Sequence, residues 1–317
     1  MNLFDKIQYG DTIALSQGIT LLESSLSSDN LLSEQLISKC LPYSGNSIRI
    51  GITGIPGVGK STFIESFGTL LTSKGHKVAV LAIDPTSERT QGSILGDKSR
   101  MHKLSNDKNA FVRASPSKGY LGGTGNKTRE SIILCEAAGF DIILIETVGV
   151  GQSETTVSNL VDFFLLLMIA GAGDELQGLK RGIMEMADAL IITKADGDNI
   201  QKSKNAQQTY KQALHFFPPM ENGWTPKVST CSALENKGIL EIWETIYTYN
   251  EKMKSSEWKE KARKKQDIYW LPHRIKEELG IKKYNSLLSE EKINNLEKEV
   301  IKNDQSIYEI IRLLLSN

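Results

Sequence analysis

The sequence predicts an α/β fold in which helices flank a mostly parallel central sheet, with a helical N-terminal arm and a helical C-terminal extension. Through the middle of the 317-residue chain, short apolar and β-branched runs alternate with helical stretches. Continuous apolar strands separated by helices are typical of a parallel sheet that is covered on both faces. We therefore expect an arm at residues 1–46, an α/β domain at residues 47–250 and a helical region at residues 251–317.

The individual elements follow from the same patterns. The arm is predicted to hold two helices within residues 11–41, with a turn at residues 27–30 that caps the second helix. Apolar runs predict strands at residues 48–53, 78–83, 110–113, 141–146, 163–169, 189–193 and 227–230. Apolar positions at helical spacing predict helices at residues 60–74, 125–138, 180–186, 199–214, 238–250, 268–279 and 287–315. Ligands of such a sheet are expected at the carboxyl ends of its strands.

Composition narrows the classes of function. Lys+Arg and Asp+Glu both number 38, so the chain lacks the basic excess expected of a nucleic-acid or membrane-surface binder. The Lys-rich run at residues 251–265 is interleaved with acids, which favours a solvated helix face. Three scattered cysteines and an N-terminus without a signal-peptide pattern predict a reducing, cytoplasmic location. The most apolar run, residues 163–170, is too short to span a membrane.

The stretch Gly54-Ile55-Pro56-Gly57-Val58-Gly59-Lys60-Ser61-Thr62 fits the phosphate-loop pattern G-x-x-x-x-G-K-[ST] between a predicted strand and a predicted helix. Its glycines allow backbone N–H groups to surround a phosphate, and the helix directs its positive dipole end at the same phosphate. The lysine is expected to reach the β- and γ-phosphates, and the serine hydroxyl to ligate Mg²⁺. The residues expected to bind nucleotide here are Gly54, Pro56, Gly57, Val58, Gly59, Lys60, Ser61 and Thr62.

Two acids at strand ends are candidates for the metal side of this site. Asp84 ends the second predicted strand, where it either helps to hold Mg²⁺ and order the attacking water, or caps a turn before Pro85. Glu146 ends a buried apolar strand and is followed three positions later by Gly149, whose N–H could sense the γ-phosphate. Between them, the glycine-bearing loop at residues 91–101 has the makings of a switch and includes Asp97.

The segment after Gly149 is a candidate second switch. It contains Gln152, a possible water-positioning residue, although its spacing from Gly149 differs from that in Ras-like proteins. Water positioning by a glutamine is one of the parts that nucleotide hydrolases reuse.

A guanine-reading pattern follows at the ends of the last two strands. The run Thr193-Lys194-Ala195-Asp196 resembles N-K-x-D with Thr in place of Asn. The aspartate can accept hydrogen bonds from guanine N1–H and N2–H₂, a pair that adenine does not offer. Downstream, Ser232, Ala233 and Leu234 resemble the loop whose backbone amide meets guanine O6. In this order and at strand ends, the motifs predict GTP and GDP as ligands.

Together these motifs resemble the MeaB/ArgK-type GTPases, bacterial relatives of the human protein behind cblA-type methylmalonic aciduria. The resemblance is close over residues 47–250, and its most distinctive segments are residues 92–98, 146–154 and 173–182. It implies a P-loop G domain of the class shared with signal-recognition-particle and nickel-insertion GTPases, some of which accept T-K-x-D. It also implies an additional switch at residues 171–181, in which Lys180 is the notable charge. The family's Mg²⁺ side maps onto Ser61, Asp84, Asp97 and Glu146.

The resemblance further implies a homodimer formed by the C-terminal helices and a partner that is an adenosylcobalamin-dependent acyl-CoA mutase, usually methylmalonyl-CoA mutase. The expected function is a GTP-hydrolysing chaperone that gates cofactor delivery to this mutase and protects or reactivates it. Hydrolysis is expected to be slow until the mutase reorders the switches, when Lys180 could move in. Two alternatives remain: a kinase or ATPase linked to arginine and ornithine transport, and a nickel metallochaperone, for which the scattered His and Cys residues offer no ligand cluster.

Overall fold

A computed structural model describes residues 1–24, 26–84, 101–116, 121–147, 153–171, 181–289, 292–302 and 307–316. The strands are β1 (Ile48–Gly54), β2 (Val78–Asp84), β3 (Ala110–Pro116), β4 (Ile142–Thr147), β5 (Phe163–Ile169), β6 (Ala189–Thr193) and β7 (Lys227–Thr230). The helices of the arm and the middle of the chain are α1 (Leu3–Gln8), α2 (Thr12–Glu23), α3 (Ser27–Cys40), α4 (Lys60–Ser73), α5 (His102–Ser105), α6 (Leu121–Ala137), α7 (Ser153–Ser158), α8 (Arg181–Met186) and α9 (Ile200–Leu214). The remaining helices are α10 (Ile239–Ser255), α11 (Trp258–Ser289), α12 (Lys292–Lys302) and α13 (Ile307–Ser316).

The sheet has the order β3-β2-β4-β1-β5-β6-β7, and every pairing among the described strands is parallel. The predicted fold class is thereby confirmed. Strand β1 lies near the centre, with Ile52 opposite Glu146 of β4 and Gly54 opposite Leu167 of β5. Because the strands are parallel, their carboxyl ends meet at one edge, which is the edge where such sheets bind ligands.

Successive residues of each strand face opposite sides of the sheet and feed two hydrophobic clusters. In β4, Ile143 and Ile145 join the cluster that also contains buried residues of the arm, of α6 and of the C-terminal helices. Their neighbours Ile142 and Leu144 join the cluster formed with α4 and α10. The sheet is therefore covered on both faces, as its continuous apolar strands predict.

The N-terminal arm begins one helix earlier than the sequence pattern predicts. Helix α1 starts after Asn2, whose side chain accepts from the backbone N–H of Asp5 in a capping box. The predicted turn at residues 27–30 is wrong, because α3 already begins at Ser27 and the chain is extended at Leu26. The arm is attached to edge strand β3 by an ion pair of 2.5 Å between Arg113 and Glu23 of α2.

After α10, the described residues of the C-terminal region form α11, α12 and α13, whose bounds differ from the helical run predicted at residues 251–265 and from the helices predicted at residues 268–279 and 287–315. Helix α10 continues to Ser255, so the predicted boundary at residue 250 falls inside it. Within α11, Gly280 has a φ of 80° and a ψ of 163°, which interrupts the helical path. The expectation of a solvated helix face at residues 251–265 is wrong in part, because Lys259 and Arg263 both bond the backbone oxygen of Ser47. No helix in the described part of the chain is both long and apolar enough to cross a membrane.

Candidate functional site

The phosphate-loop sequence folds as a tight connection between β1 and α4. Gly54 has a φ of 152°, and a Cβ at this position would come within 2.5 Å of the backbone oxygen of Leu167. Gly59, the residue before α4, has a φ of 100° in the left-handed region that favours glycine. Since Gly59 has no side chain, it offers no oxygen that could occupy the N–H groups of the first turn of α4. These groups are the ones that bind a phosphate in such loops.

The side chain of the loop's lysine is held by backbone oxygens at the start of the loop. Lys60 is 9% exposed, and its Nζ donates hydrogen bonds to the backbone oxygens of Gly54 at 2.7 Å and Ile55 at 3.3 Å. Both acceptors belong to the segment that surrounds the predicted phosphate position. The ammonium charge therefore lies at the loop, where a β/γ-phosphate would need it.

Two of the metal-side candidates, Ser61 and Glu146, meet at the carboxyl edge of the sheet. The Ser61 hydroxyl donates to Glu146 Oε1 at 3.3 Å, and Glu146 is only 8% exposed at the end of β4. Asp84 is the last residue of β2, which pairs with β4 so that Ala82 lies opposite Glu146. The Asp84 side chain is not described, and Asp97 lies outside the described residues. A hydroxyl and a carboxylate oxygen at one edge fit the ligand preference of Mg²⁺.

Beneath the loop, an unpredicted hydrogen bond joins the two central strands. The Thr147 hydroxyl donates to the Thr53 hydroxyl at 2.8 Å, and both residues are buried. Thr53 directly precedes the phosphate loop and Thr147 directly follows Glu146. The bond therefore fixes the loop relative to the acid. In the sequence, this bond is indicated only by a threonine next to the phosphate loop and another next to Glu146.

The base-reading motif is tied to the phosphate loop by two side chains. The Thr193 hydroxyl lies 2.7 Å from the backbone oxygen of Val58 and 3.0 Å from that of Met168. Lys194 has a φ of 54°, and its Nζ donates to the backbone oxygen of Gly57 at 2.8 Å. The threonine that departs from N-K-x-D thus holds the motif against the phosphate loop through its hydroxyl.

Asp196 and the later serine motif are brought together, although 36 residues separate them. The Ser232 hydroxyl donates to Asp196 Oδ2 at 2.5 Å, and the Ala195 N–H donates to the Cys231 oxygen at 3.0 Å. Leu234 is 78% exposed in the same loop. One oxygen of Asp196 is therefore oriented by the serine, and the carboxylate keeps further acceptor capacity for a donor pair.

The structure thus gathers most of the predicted site residues at the carboxyl edge of the sheet, from the phosphate loop through Glu146 to the motifs at Thr193 and Ser232. The four remaining candidates, Asp97, Gly149, Gln152 and Lys180, lie outside the described residues. At the opposite edge, Asp188 is buried and accepts from the Phe164 N–H at 2.8 Å. Burial raises the pKa of Asp188 to about 7.

Comparisons with known proteins agree with this geometry. Residues 15–286 match the family model described as methylmalonyl Co-A mutase-associated GTPase MeaB. The chain is 48% identical over 274 residues to the GTPase ArgK of Escherichia coli strain K12, covering 86% of this chain and 83% of that protein. It is 44% identical over 285 residues to the mitochondrial methylmalonic aciduria type A homolog of Mus musculus, covering 87% of this chain and 69% of that protein.

A solved structure entitled LAO/AO transport system kinase is also similar. It superposes with a TM-score of 0.76 at 38% sequence identity, covering 99% of this chain and 95% of that one. The likeness therefore extends over the arm and the C-terminal helices as well as the sheet.

Proposed function

Because this chain belongs to the family of methylmalonyl-CoA mutase-associated GTPases, we propose that it is a GTP-hydrolysing chaperone for an adenosylcobalamin-dependent acyl-CoA mutase. In this role it gates delivery of intact cofactor and protects or reactivates the mutase, most directly methylmalonyl-CoA mutase. The printed names of the family model and of the mouse relative support this partner. The GTP-dependent step then serves as a switch that the mutase reads.

The contact between Asp196 and Ser232 is the observation that carries the choice of guanine. The serine hydroxyl holds one carboxylate oxygen at 2.5 Å, and we propose that the carboxylate accepts from N1–H and N2–H₂ of a guanine base. The side chain of Lys194 reaches back to the Gly57 oxygen, so its aliphatic stem is placed between base motif and phosphate loop. Adenine lacks the donor pair, and we therefore expect it to bind far more weakly.

For the phosphate side, we propose that Lys60 and the N–H groups of the loop bind the β- and γ-phosphates. Ser61 and Glu146 would hold Mg²⁺ together with Asp84 and Asp97, and Gly149 would sense the γ-phosphate. The bound Mg²⁺ supplies charge neutralisation between these phosphates. In hydrolysis, water attacks the γ-phosphorus, the bond to the β–γ bridging oxygen breaks, and GDP and phosphate are released.

Hydrolysis by the isolated protein is proposed to be slow. Its water-positioning group would be Gln152, and Lys180 would supply a positive charge to the transition state. A missing charge of this kind costs about 10³–10⁵-fold in rate. The deciding experiment measures GTP turnover with and without methylmalonyl-CoA mutase, for the wild type, Lys60→Ala and Lys180→Ala. We expect stimulation of the wild type and no turnover by Lys60→Ala. Unchanged turnover on adding the mutase would contradict the gating role, whereas equal stimulation of Lys180→Ala would remove only the role of that lysine.

The metal assignment has its own test. Glu146→Ala and Asp97→Ala are each expected to raise the Mg²⁺ concentration needed for half-maximal turnover, because each removes a carboxylate from the metal side. If both variants keep the wild-type Mg²⁺ dependence, the four proposed ligands are wrong.

A second candidate function rests on the printed title of the LAO/AO transport system kinase and the name ArgK. A transport-linked kinase or ATPase would use adenine nucleotides and phosphorylate an acceptor. The carboxylate of Asp196 favours guanine instead, because adenine offers no matching pair of donors. Comparable affinities for ATP and GTP would favour this alternative. A nickel metallochaperone stands third. We further propose a cytoplasmic location, which the free thiols of Cys40, Cys135 and Cys231 support.

A further inference from the structure

Two adjacent residues of α4 bind the two loops that flank the nucleotide site. Helix α4 begins at Lys60 of the phosphate loop, and Glu65 and Ser66 lie one turn further along it. Neither residue is part of a sequence motif. Each makes a side-chain contact with a segment distant in the chain.

The first contact is with the chain that leaves the predicted switch at residues 91–101. Glu65 Oε1 accepts from the backbone N–H of Lys103 at 2.7 Å, and Oε2 accepts from that of Leu104 at 3.1 Å. Both N–H groups belong to the first turn of α5, so no intrahelical oxygen would satisfy them. A carboxylate that accepts two such bonds is a strong anchor, since hydrogen bonds to charged groups are about twice as strong as neutral ones.

Close packing reinforces this anchor. Met101 and Leu104 are both fully buried in the cluster with Phe63 and Phe67 of α4. A Cβ on Gly68 would lie 2.5 Å from Leu104 Cδ2, so the absence of a side chain there allows α5 to approach α4 closely. The chain at residues 101–105 is therefore fixed to α4 by both polar and apolar contacts.

The second contact is with the guanine loop, defined here as residues 231–238. The Ser66 hydroxyl donates to Asn236 Oδ1 at 2.6 Å. Asn236 has a φ of 52°, a left-handed conformation that asparagine tolerates better than most residues. The loop is closed upon itself by two hydrogen bonds between Ser232 and Lys237. Fixing Asn236 thus also fixes Ser232, which orients Asp196.

We propose that Glu65 and Ser66 are positioning residues that attach the metal side and the base side of the site, respectively, to the phosphate-loop helix. Asp97, one of the residues proposed to hold Mg²⁺, stands four residues before Met101 in the sequence. We therefore expect a change at the Glu65 anchor to act on the metal side of the site. The proposal rests on the proposed GTP site and adds two residues that act through other groups.

The test separates the two sides with binding measurements on the full-length protein. The affinity of fluorescent GDP in EDTA reports on the base side, and a Mg²⁺ titration of the binding of a non-hydrolysable GTP analogue reports on the metal side. We expect Ser66→Ala to raise the GDP Kd roughly 3- to 10-fold, as for the loss of one hydrogen bond. It should leave the Mg²⁺ midpoint within twofold of the wild type.

Glu65→Gln is expected to change the Mg²⁺ titration and not the affinity for GDP. The amide cannot accept both N–H groups as a charged pair does, so the Mg²⁺ midpoint should rise roughly 3- to 10-fold while the GDP Kd in EDTA stays within twofold. Gly68→Ala provides a second variant on this side and should shift the Mg²⁺ midpoint in the same direction, because the added methyl group displaces Leu104.

Matched controls are Ser73→Ala on α4, whose hydroxyl bonds only the Leu70 oxygen of its own helix, and Glu244→Gln on the exposed face of α10. Both should match the wild type in both measurements. The proposal is overturned if Ser66→Ala and Glu65→Gln shift both quantities together, or if neither shifts either quantity. A wild type that does not prefer GDP over ADP would instead overturn the proposed function.

Discussion

Asp196 is the residue through which a single substitution should change the base preference. In Asp196→Asn, the new amide can donate to the C2 carbonyl of xanthine but no longer accepts both guanine donors. We expect the GTP affinity to fall and the XTP affinity to rise, so that the preference shifts by about tenfold or more, equivalent to ~1.4 kcal/mol. Competition binding with GTP, XTP and ATP measures this change. Equal affinities of the wild type for GTP and ATP would contradict the guanine assignment.

Asp188 predicts a pH dependence of stability. Burial raises its pKa to about 7 in the folded protein, above the ordinary value of about 4. Because the folded state holds this proton more tightly than the unfolded state, the stabilisation is complete below about pH 4 and is lost as the pH rises through about 7. The loss can reach ~1.4 kcal/mol per pH unit in this window.

Asp188→Asn removes this titration and keeps an oxygen that can accept from the Phe164 N–H. The difference in the free energy of unfolding, Asp188→Asn minus wild type, should therefore be about 1–3 kcal/mol higher at pH 8 than at pH 5, because only the wild type loses stability over this range. Urea unfolding at both pH values measures the difference, and the exposed Asp198→Asn serves as the control. Parallel pH profiles for the wild type and Asp188→Asn would show that this carboxyl does not titrate as inferred.

Residues whose role is set by a local motif could be predicted from the sequence, whereas residues paired across long separations could not. Lys60 stands in a pattern of eight residues, Gly54 to Ser61, and its position in the phosphate loop follows from that pattern. Glu136 binds Arg49 across 87 residues, with Arg49 Nε donating to Oε1 at 3.0 Å. Nothing near Glu136 in the chain distinguishes it from a surface acid. Glu65 and Ser66 were missed for the same reason.

At the scale of elements, α11 is fastened to the amino edge of the sheet by a buried carboxylate. Arg263 donates to both oxygens of Asp162 at 2.8 and 2.7 Å, and Lys259 lies 3.6 Å from the same group. Burial alone would raise the pKa of Asp162, but the Arg263 guanidinium overrides this effect and holds the pKa below its usual value. The same burial lowers the pKa of Lys259 to about 8.

Arg263→Ala is expected to lower the free energy of unfolding by about 3–5 kcal/mol, because it leaves a buried carboxylate without its main partner. The matched control is Lys265→Ala, which removes an exposed ion pair of 2.7 Å with Glu221 and should cost far less, because solvent screens exposed pairs. Chemical denaturation of both variants measures the difference. Similar small losses in both would mean that the Asp162 contact does not hold α11.

The strands could be placed from the sequence more accurately than the terminal helices. The bounds of β5, β6 and β7 coincide with the predicted ones, because buried parallel strands are short, continuous apolar runs between turn signals. The split of the predicted helix at residues 287–315 into the end of α11, α12 and α13 was missed. Apolar spacing continues through all three segments, so periodicity alone does not reveal where one helix ends.

At the scale of the whole molecule, homodimerisation through the C-terminal helices stays a prediction. Apolar residues of the C-terminal helices do not need a second copy to be covered, since Ile293, Val300 and Ile310 are buried within this chain in the cluster that contains residues of α6. Exposed apolar side chains among the described residues include Ile281 and Leu288 of α11 and Leu313 of α13. A dimer interface of ordinary size buries ~800 Å² on each partner, so these three alone would not suffice.

Light scattering of the full-length protein at micromolar concentration decides the oligomeric state, and a monomer would contradict the dimer. Truncation after Asn250 is expected to give an insoluble or destabilised protein. It removes the end of α10 and exposes the apolar surface that α11, α12 and α13 cover on α6. A stable, soluble monomer from the truncated chain would instead favour a tail whose main contacts are with a partner.

The strand order has a consequence for synthesis on the ribosome. Strand β1 is made early but pairs with β4 and β5, so it has no neighbour in the sheet until residues 142–147 have emerged. At ~5–20 residues per second, the apolar segment around Ile50 waits roughly 5–20 s for its partners. Such non-local pairing slows folding and prolongs exposure to aggregation. The last reinforcement comes later still, when Lys259 reaches back 212 residues to the Ser47 oxygen. Nascent chains stalled before residue 142 should therefore bind chaperones that recognise exposed apolar strands, and chains stalled after residue 289 should not.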